Sequence, residues 1–476
     1  MEDRTGTTLP GASVWPHNRA MPKQIRLNAF DMNCIVHQSP GLWTHPRDRA
    51  DSYNTLEYWV DLARILERGK FDALFLADVL GIYDVYRGGP ETALEHAVQV
   101  PVNDPLMVIP AMAYVTQHLG FGVTCALSYE HPYPFARRMS TLDHLTKGRI
   151  GWNIVTGYLN SAAQGMGMAE QVEHDTRYEI AEDYLQVTYK LWEGSWEDGA
   201  VLRDRANRRF ADPSKIHRVT HEGKYFRTSA IHLAEPSPQR TPVLYQAGAS
   251  GRGRQFAADH AECVFINGPS QRVVGGIVSD IRRRTAAAGR DPAEILIFTM
   301  MTVITGRTTK EARDKLADYQ NHVSTEAALA LMSGWTGVDF SKLDPDKPIP
   351  PADEGAMTSA LDAFTINADP GKIWTPREVA RHAAIGGRGP VIVGSADEVA
   401  DALQDWVANT DLDGFNLAYA VTPESFSDIA DLVVPILQER GAFKRDYAPG
   451  TLREKLYGPG RARLGDNHPA ARYRHP

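Results

Sequence analysis

Short apolar segments alternate with longer segments of helical periodicity along most of the chain. The first apolar segments, residues 25–30 and 73–77, have the length of buried strands, and the segments after them, 56–68 and 106–116, repeat apolar residues with helical spacing. Six further pairs follow, with strands predicted at 121–126, 150–155, 243–246, 263–266, 295–304 and 414–419 and helices at 135–146, 180–192, 252–260, 273–288, 310–319 and 425–440. Eight strand–helix units predict an α/β fold, a closed (β/α)₈ TIM barrel rather than an open sheet.

Two long segments interrupt the alternation. Residues 195–240 contain strand-like pieces at 224–227 and 230–233, and residues 321–392 are rich in Gly, Pro, Asp and small residues. Long insertions in a compact domain often cover active sites, so we expect 321–392 to form a lid over the barrel mouth. A capping box at Ser395 and Glu398 ends this insertion and predicts a helix over 397–407. The predicted organisation is a flexible arm at 1–20, one barrel domain at 21–445 with both insertions, and a C-terminal tail at 446–476.

Composition narrows the class of protein. The chain has 476 residues, of which 43% are hydrophobic and 23% charged, as in an ordinary globular enzyme. The net charge of -8, without a basic stripe, argues against a nucleic-acid partner. Cys34, Cys125 and Cys263 are far apart, which fits a reducing cytoplasm, and no apolar run has the length of a signal peptide core or a membrane span. We therefore expect a cytoplasmic protein with a small-molecule partner.

Polar residues follow the predicted strands, at the ends where barrel active sites form. They are His37 after the first strand, Asp78 and Tyr83 after the second, Ser128 after the third, and Thr156 and Tyr158 after the fourth. The fifth strand leads into a loop of small residues, Ala249, Ser250 and Gly251, which opens a helix. Because backbone N–H groups at a helix start bind phosphate, this loop is either a phosphate site, aided by Arg252 and Arg254, or a simple turn.

Three other groups have competing interpretations. Tyr178 could donate its hydroxyl to a phosphate, or it could pack in the core while Arg177 pairs with nearby carboxylates. His217 and His221 are the only pair with ligand-like spacing, there is no HExxH motif, and we expect no metal site. Cys34 and His37 could form a thiol–base pair, although a buried, unreactive thiol is the favoured interpretation of Cys34.

Several longer motifs resemble one known family. They are the segments 28–34 (NAFDMNC), 69–78 (GKFDALFLAD), 129–133 (YEHPY), 140–150 (STLDHLTKGRI), 173–178 (EHDTRY), 236–242 (PSPQRTP) and 246–248 (QAG). Together they resemble the bacterial-luciferase-like flavin monooxygenases, in the group of long-chain alkane, dibenzothiophene-sulfone, nitrilotriacetate and dimethyl-sulfide monooxygenases. The resemblance extends from about Lys23 to Arg474, which is nearly the whole chain.

The resemblance implies a luciferase-like (β/α)₈ barrel and a two-component reaction. A separate NAD(P)H:FMN oxidoreductase would supply FMNH₂, and the enzyme would react it with O₂ through a C4a-(hydro)peroxyflavin. Family members commonly form homodimers or homotetramers, which favours an interface role for the Arg-rich C-terminus. The implied cofactor-binding residues are Asp78 near the flavin ring, Ser128 and Thr156 at strand ends, Tyr178 and Ser250 on the phosphate, and the backbone of Ala249 and Gly251.

A flavin oxygenase must exclude water and donate hydrogen bonds near the reacting oxygen. The candidates for these catalytic donors are His37, Tyr83, Gln99 and Tyr158, with His37 favoured. Alkane-oxidising members carry Ser-His where this chain has Gly157 and Tyr158, and a further histidine aligns near Leu331. A more apolar wall predicts a small hydrophobic substrate, either a thioether or other organosulfur compound, a haloaromatic or an alkane, whose oxygenation would serve xenobiotic or sulfur- and carbon-source degradation.

Two alternatives keep the fold and change the function. An F420-dependent oxidoreductase would use the same barrel for hydride transfer, since that deazaflavin reacts poorly with oxygen. A non-catalytic flavin-binding protein would retain Tyr178 and Ser250 without turnover. The presence of His37, Tyr83 and Gln99 favours the monooxygenase.

Overall fold

The computed structural model describes residues 23–248, 250–350, 361–362, 364–365 and 368–475. The predicted arm at 1–20 and the predicted phosphate-loop residue Ala249 lie outside the described residues. Within them, the elements follow the hydrophobic pattern closely along the barrel and less closely in the two insertions.

Eight parallel strands close into a barrel, which confirms the predicted fold class. Each strand pairs with the next, and the eighth strand pairs with the first, so the sheet has no free edge around the ring. The barrel strands are β1 (Arg26–Met32), β2 (Ala73–Ala77), β3 (Gly120–Ala126), β4 (Ile150–Val155), β5 (Val243–Ala247), β6 (Cys263–Ile266), β7 (Leu296–Gly306) and β8 (Gly414–Ala418).

Helices surround the barrel at the predicted places. The described α-helices are Leu56–Arg68, Glu91–Glu95, Ile109–Val115, Pro132–Leu145, Asn160–Gly165, His174–Gly194, Gly251–His260, Gln271–Ala287, Thr309–Gln320, Thr325–Thr336, Pro376–Ala383, Ala396–Thr410, Glu424–Asp428, Val434–Glu439 and Leu452–Tyr457. The last predicted barrel helix, 425–440, is divided by a π-helical turn at Ile429–Val433. Pro435 follows this turn and has no N–H to donate, which is a known cause of a widened helical turn.

Aromatic side chains fill the barrel interior. Phe75 of β2 lies 5.4 Å, centroid to centroid, from Tyr245 of β5, and Phe30 of β1 lies 4.9 Å from Phe265 of β6. Strands that are not neighbours can touch in this way only across the inside of the ring, so these residues form a packed core beneath the rim.

The first insertion differs from its prediction. Its strands are Val201–Asp204 with Arg209–Ala211 and Val219–Glu222 with Arg227–Ala230, so the strand-like pieces expected at 224–227 and 230–233 are wrong. The backbone N–H groups of Tyr225 and Phe226 donate to Asp183 Oδ2 at 2.7 and 2.9 Å, which holds them in the turn of the hairpin. A tertiary hydrogen bond has overridden the local β propensity.

The described part of the second insertion lies against the loops of the barrel rim. Its helix Thr325–Thr336 packs with Glu91–Glu95 and with Pro376–Ala383, and its buried residues share one cluster with Tyr83 and Leu159. A strand that the sequence pattern did not predict, Val391–Ser395, extends the sheet by pairing with the end of β7. The capping box at Ser395 is present, and the helix it opens, Ala396–Thr410, is longer than the predicted 397–407.

Residues 446–475, from the segment set apart as a tail in the sequence, pack against the opposite, N-terminal end of the barrel. Leu452 and Leu456 belong to the interior cluster with Phe30 and Tyr245. The Arg453 guanidinium forms two hydrogen bonds to Glu262, the residue before β6. No helix among the described residues is both long and apolar enough to cross a membrane.

Candidate active site

The four predicted catalytic residues form one continuous chain of hydrogen bonds at the rim. Gln99 Nε2 donates to the His37 carbonyl oxygen at 2.8 Å, and the Tyr83 hydroxyl donates to Gln99 Oε1 at 2.8 Å. The hydroxyls of Tyr83 and Tyr158 are 2.7 Å apart. Residues from the loops after β1, β2 and β4 are therefore brought together, as their positions after the strands predict.

Two loops hold Gln99 in place beneath Tyr83. The Gln99 backbone N–H donates to the Val36 carbonyl, and Asn103 N–H donates to the Asn33 carbonyl at 2.8 Å. Gln99 itself has φ of +50°, a left-handed conformation that costs free energy for a non-glycine residue. Backbone strain of this kind persists where the surroundings impose it, and it commonly marks a functional position.

The His37 side chain is buried beside the network and is electrically neutral. Burial lowers its pKa to about 3, and its ring lies 4.4 Å from the Phe30 ring in an edge-to-face arrangement. Neither ring nitrogen has a hydrogen-bond partner within the described part of the chain. An imidazole with this pKa carries no charge at neutral pH, so His37 can offer one neutral donor and one acceptor but no acidic proton.

Both phenols of the network are protonated at neutral pH. Burial raises the pKa of Tyr158 to about 12, while the Tyr83 hydroxyl and the positive charge of Arg388 oppose the rise. Burial also raises the pKa of Tyr83 well above its usual value. Because Tyr83 gives its only proton to Gln99, Tyr158 donates to Tyr83, and Tyr158 can donate to a third oxygen atom only by turning its hydroxyl away from Tyr83.

A second group of residues forms a candidate phosphate cradle at the end of β5. Ser250 caps the helix Gly251–His260, its Oγ accepting from Gly253 N–H at 3.0 Å. A Cβ atom on Gly253 would lie 2.7 Å from the Tyr178 hydroxyl and 3.1 Å from Ser250 Oγ, so only glycine leaves both hydroxyls at this helix start. The first N–H groups of the helix have no intrahelical partner. Hydroxyls and helix N–H groups together fit an oxyanion.

Arginines around this cradle differ in their partners. Arg254 is bound to Asp280 at 2.8 Å, and the Arg252 guanidinium lies 5.8 Å from the Tyr178 ring centroid. Arg177 Nε is buried and has no partner among the described residues, and no ion pair to a described carboxylate is found for this residue. The alternative in which Arg177 pairs with local carboxylates is therefore not what the structure contains, and its charge is left facing Tyr178 and Tyr129.

Hydrogen bonds also join the neighbouring ends of β3 and β4 at the rim. Ser128 Oγ donates to the Thr156 carbonyl at 2.6 Å, joining the ends of β3 and β4. A Cβ atom on Gly157 would lie 2.9 Å from the Tyr129 hydroxyl, which accepts a hydrogen bond from Gln171 Nε2. Tyr129 and Gln171 were not among the sequence candidates, although Tyr129 stands directly beside Ser128.

Asp78, which directly follows β2, has a carboxyl group whose pKa is raised. Burial raises its pKa to about 7, and the negative charge of Asp104 contributes to the rise. It can therefore be protonated near neutral pH and donate a hydrogen bond. No described contact joins it directly to Tyr178 or Ser250, and its place is the rim at the end of β2.

The two histidines with ligand-like spacing do not share a site. His217 Nε2 lies 2.6 Å from Glu197, whereas His221 Nε2 lies 2.6 Å from Asp183. His221 is on a strand of the hairpin and His217 precedes it, so their side chains pair with different acids. The expectation that the enzyme uses no metal stays a prediction.

Comparison with known proteins shows which family the chain is similar to. A family model described as luciferase-like monooxygenase matches residues 31–412. The chain is 54% identical over 454 residues to the dimethyl-sulfide monooxygenase of Hyphomicrobium sulfonivorans, covering 95% of this chain and 94% of the relative. It is 51% identical over 454 residues to the long-chain alkane monooxygenase of Geobacillus thermodenitrificans, covering 95% and 99%.

Solved structures agree with these relatives. The crystal structure of DmoA from Hyphomicrobium sulfonivorans superposes with a TM-score of 0.89, covering 95% of this chain and 96% of that one. A riboflavin lyase crystallised with modified FMN and riboflavin is 37% identical, with a TM-score of 0.88 over 95% of this chain and 100% of its own. The similarity covers both the barrel and the rim that carries the candidate site.

Proposed function

The chain belongs to the luciferase-like monooxygenase family, and we propose that it uses reduced FMN and O₂ to oxygenate a small hydrophobic substrate. The family is flavin-dependent, and a separate NAD(P)H:FMN oxidoreductase is the proposed source of FMNH₂. The observation that carries the proposal is the hydrogen-bonded chain from His37 to Tyr158, which lies at the same rim as the cradle at Tyr178 and Ser250.

The cradle supports FMN as the bound flavin. Tyr178, Ser250 and the first N–H groups of the helix Gly251–His260 would hold its phosphate, and Gly253 leaves room for the two hydroxyls. Asp78, Ser128 and Thr156 would lie along the ring. Asp78 is suited to this position because its raised pKa lets the protonated carboxyl donate a hydrogen bond to a flavin nitrogen or oxygen.

The protein's own residues supply donors and exclude water. Bound reduced flavin provides the electrons that activate O₂. Tyr158 would turn its hydroxyl from Tyr83 to donate a hydrogen bond to the oxygen atoms beside the flavin, while Tyr83 keeps its own proton on Gln99. His37 would act as a neutral hydrogen-bonding group, since a charged imidazole is not stable at this depth.

An apolar wall supports the proposed substrate class. The helix Thr325–Thr336 buries Ala327, Leu331 and Met332 in the cluster that contains Tyr83 and Leu159. We propose that the second insertion, 321–392, is the lid of the site and that this cluster forms one wall of the substrate pocket. A thioether, another organosulfur compound, a haloaromatic or an alkane would suit such a wall.

The proposal is tested by mixing the protein anaerobically with FMNH₂, adding oxygenated buffer, and following flavin absorbance, hydrogen peroxide and oxygenated product. Methyl thioethers, chloroaromatics and alkanes are supplied in turn. We expect one class to yield product, and Tyr158→Phe to divert oxygen to hydrogen peroxide. Tyr114→Phe is the matched control, since Tyr114 is 92% exposed.

Two results would contradict the proposal. Oxidation of FMNH₂ at the rate seen in buffer, with no product from any class, would exclude a monooxygenase site at this rim. If coenzyme F420 protects the protein against thermal unfolding more strongly than FMN does, the deazaflavin-dependent oxidoreductase replaces the monooxygenase as the supported function.

A further inference from the structure

One arginine of the second insertion lies beside the tyrosine pair and has no assigned role. The positive charge of Arg388 is close enough to act on both Tyr83 and Tyr158, and its guanidinium lies 4.9 Å from the ring centroid of Trp335. Trp335 is in turn part of the apolar wall formed by the helix Thr325–Thr336. Arg388 therefore stands where the proposed substrate pocket meets the catalytic donors.

Arg388 has no counter-charge in the described part of the chain. No carboxylate of the described residues lies within 4.0 Å of its guanidinium, no hydrogen bond to the guanidinium is found there, and its Nε is buried without a partner. Two more deeply buried arginines differ from it: Arg149 donates to four backbone carbonyls, and Arg453 binds Glu262. A half-buried cation without a partner costs free energy unless a ligand supplies the missing anion.

The backbone holds Arg388 in this position. Gly386 and Gly387 have φ of +78° and +62°, and the Gly386 N–H donates to Ser39 Oγ at 3.1 Å. A Cβ atom on Gly387 would overlap Gln38 Oε1, so this segment can approach the loop after β1 only with glycine here. The position of Arg388 is thus set by the barrel rim and does not depend on a freely moving loop.

We propose that Arg388 binds a single anionic oxygen group, a carboxylate or a sulfonate, at the end of the substrate remote from the oxygenated atom. The guanidinium offers two parallel N–H donors that match such a group, and the Trp335 ring supports its face. The rest of the substrate would lie along the apolar wall toward Tyr158. One unpaired guanidinium neutralises one negative charge, so the site favours substrates with a single anionic group over polyanions. The inference rests on the proposed function of the rim.

Equilibrium binding tests the proposal without turnover. Calorimetric titrations, with and without oxidised FMN, use three probes of nearly equal size: 3-(methylthio)propanoate, 2-(methylthio)ethanesulfonate and the neutral 3-(methylthio)propanamide. We expect the wild-type protein to bind at least one acid about tenfold more tightly than the amide, the scale of a charge-assisted hydrogen bond. The acid that shows the preference identifies the group.

Variants then assign the preference to Arg388. Arg388→Gln should bind acid and amide about equally, Arg388→Lys should keep part of the preference, and Arg381→Gln, an exposed arginine of the same insertion, should behave like the wild type. Equal affinity of the wild-type protein for acids and amide would overturn the proposal, and so would an unchanged preference in folded Arg388→Gln. The wild-type comparison holds even if a variant fails to fold.

The test also separates this proposal from the proposed function. If the acids bind through Arg388 but no probe is oxygenated with FMNH₂ and O₂, the oxygenase reaction is contradicted and the anion site stands. If oxygenation occurs and the amide reacts with the same kcat/KM as the acids, the anion site is contradicted and the oxygenase stands.

Discussion

At the residue scale, Tyr83 is the central member of the rim network because its hydroxyl bonds both Gln99 and Tyr158. Residues after β1, β2 and β4 were candidates from the sequence because barrel strands run in parallel and end at one rim. Their mutual hydrogen bonds could not be predicted, since they depend on the left-handed turn at Gln99. Arg388 was not a candidate, and Arg177 was considered only as a partner of nearby carboxylates, because the sequence does not show whether an arginine's surroundings contain a carboxylate.

Replacing Tyr83 by phenylalanine separates its two roles. We expect Tyr83→Phe to lower the free energy of unfolding by about 1–3 kcal/mol, because the buried Gln99 Oε1 loses its donor. The yield of oxygenated product per FMNH₂ should also fall, because Tyr158 loses its partner. Urea unfolding and product assays measure the two effects, with Tyr114→Phe as control. A fully stable variant would show that another donor reaches Gln99.

Asp31 on β1 gives a prediction about pH. Burial raises its pKa to about 7, although Met32 N–H and the Tyr58 hydroxyl donate to it. A carboxyl whose pKa is higher in the folded than in the unfolded state adds stability as the pH falls from about 7 toward 4, and it opposes folding above that range.

Asp31→Asn replaces the charged group by its neutral analogue. We expect the substitution to help stability by about 2 kcal/mol more at pH 8 than at pH 5, where much of the wild-type carboxyl is already protonated. Urea unfolding at the two pH values measures this difference. The control is Asp51→Asn, which changes an exposed carboxyl, and its effect on stability should be the same at the two pH values. Equal effects of Asp31→Asn at both pH values would mean that Asp31 stays ionised in the folded protein.

At the scale of elements, the hydrophobic pattern predicted the barrel strands well because each is a short buried run between loops. The bounds of β2, β4 and β6 agree with the predicted 73–77, 150–155 and 263–266. The insertions were predicted poorly, because the strand Val391–Ser395 exists only through its pairing with β7 and the hairpin turn only through Asp183. Tertiary contacts, not local propensity, decide these elements.

The helix Gly251–His260 gives a prediction for cofactor binding. Gly253→Ala should weaken FMN binding about tenfold or more, roughly 1.4 kcal/mol, because its Cβ would displace the hydroxyls of Tyr178 and Ser250. The matched control is Gly276→Ala in the helix Gln271–Ala287, where an added Cβ meets nothing within 4 Å. It should raise stability by about 1 kcal/mol and leave FMN binding unchanged. Flavin fluorescence titration measures the affinities, and equal FMN affinity of both variants would contradict the cradle.

At the scale of the whole molecule, one end of the barrel carries the candidate site and the other end contributes mainly to stability. The rim carries the candidate site, and the N-terminal end is closed by the segment 446–476 through Leu452, Leu456 and Arg453. Arg453 forms a bidentate pair with Glu262 and donates to the carbonyls of Thr241 and Ala462. A buried pair of this kind is costly to break, because it leaves the Glu262 carboxylate buried without a counter-charge, with the Leu244 N–H as its remaining donor.

Arg453→Met should therefore act on stability and leave the site intact. We expect the free energy of unfolding to fall by about 3–5 kcal/mol, the range for a buried ion pair that loses one partner. The exposed Arg461, 3.5 Å from Glu294, provides the control, and Arg461→Met should cost less than about 1 kcal/mol. In conditions where both variants are folded, FMN affinity should equal that of the wild type, because the cradle lies at the other end of β5 and β6. A loss of FMN affinity in folded Arg453→Met, with none in Arg461→Met, would show that packing at the N-terminal end of the barrel affects the geometry of the rim.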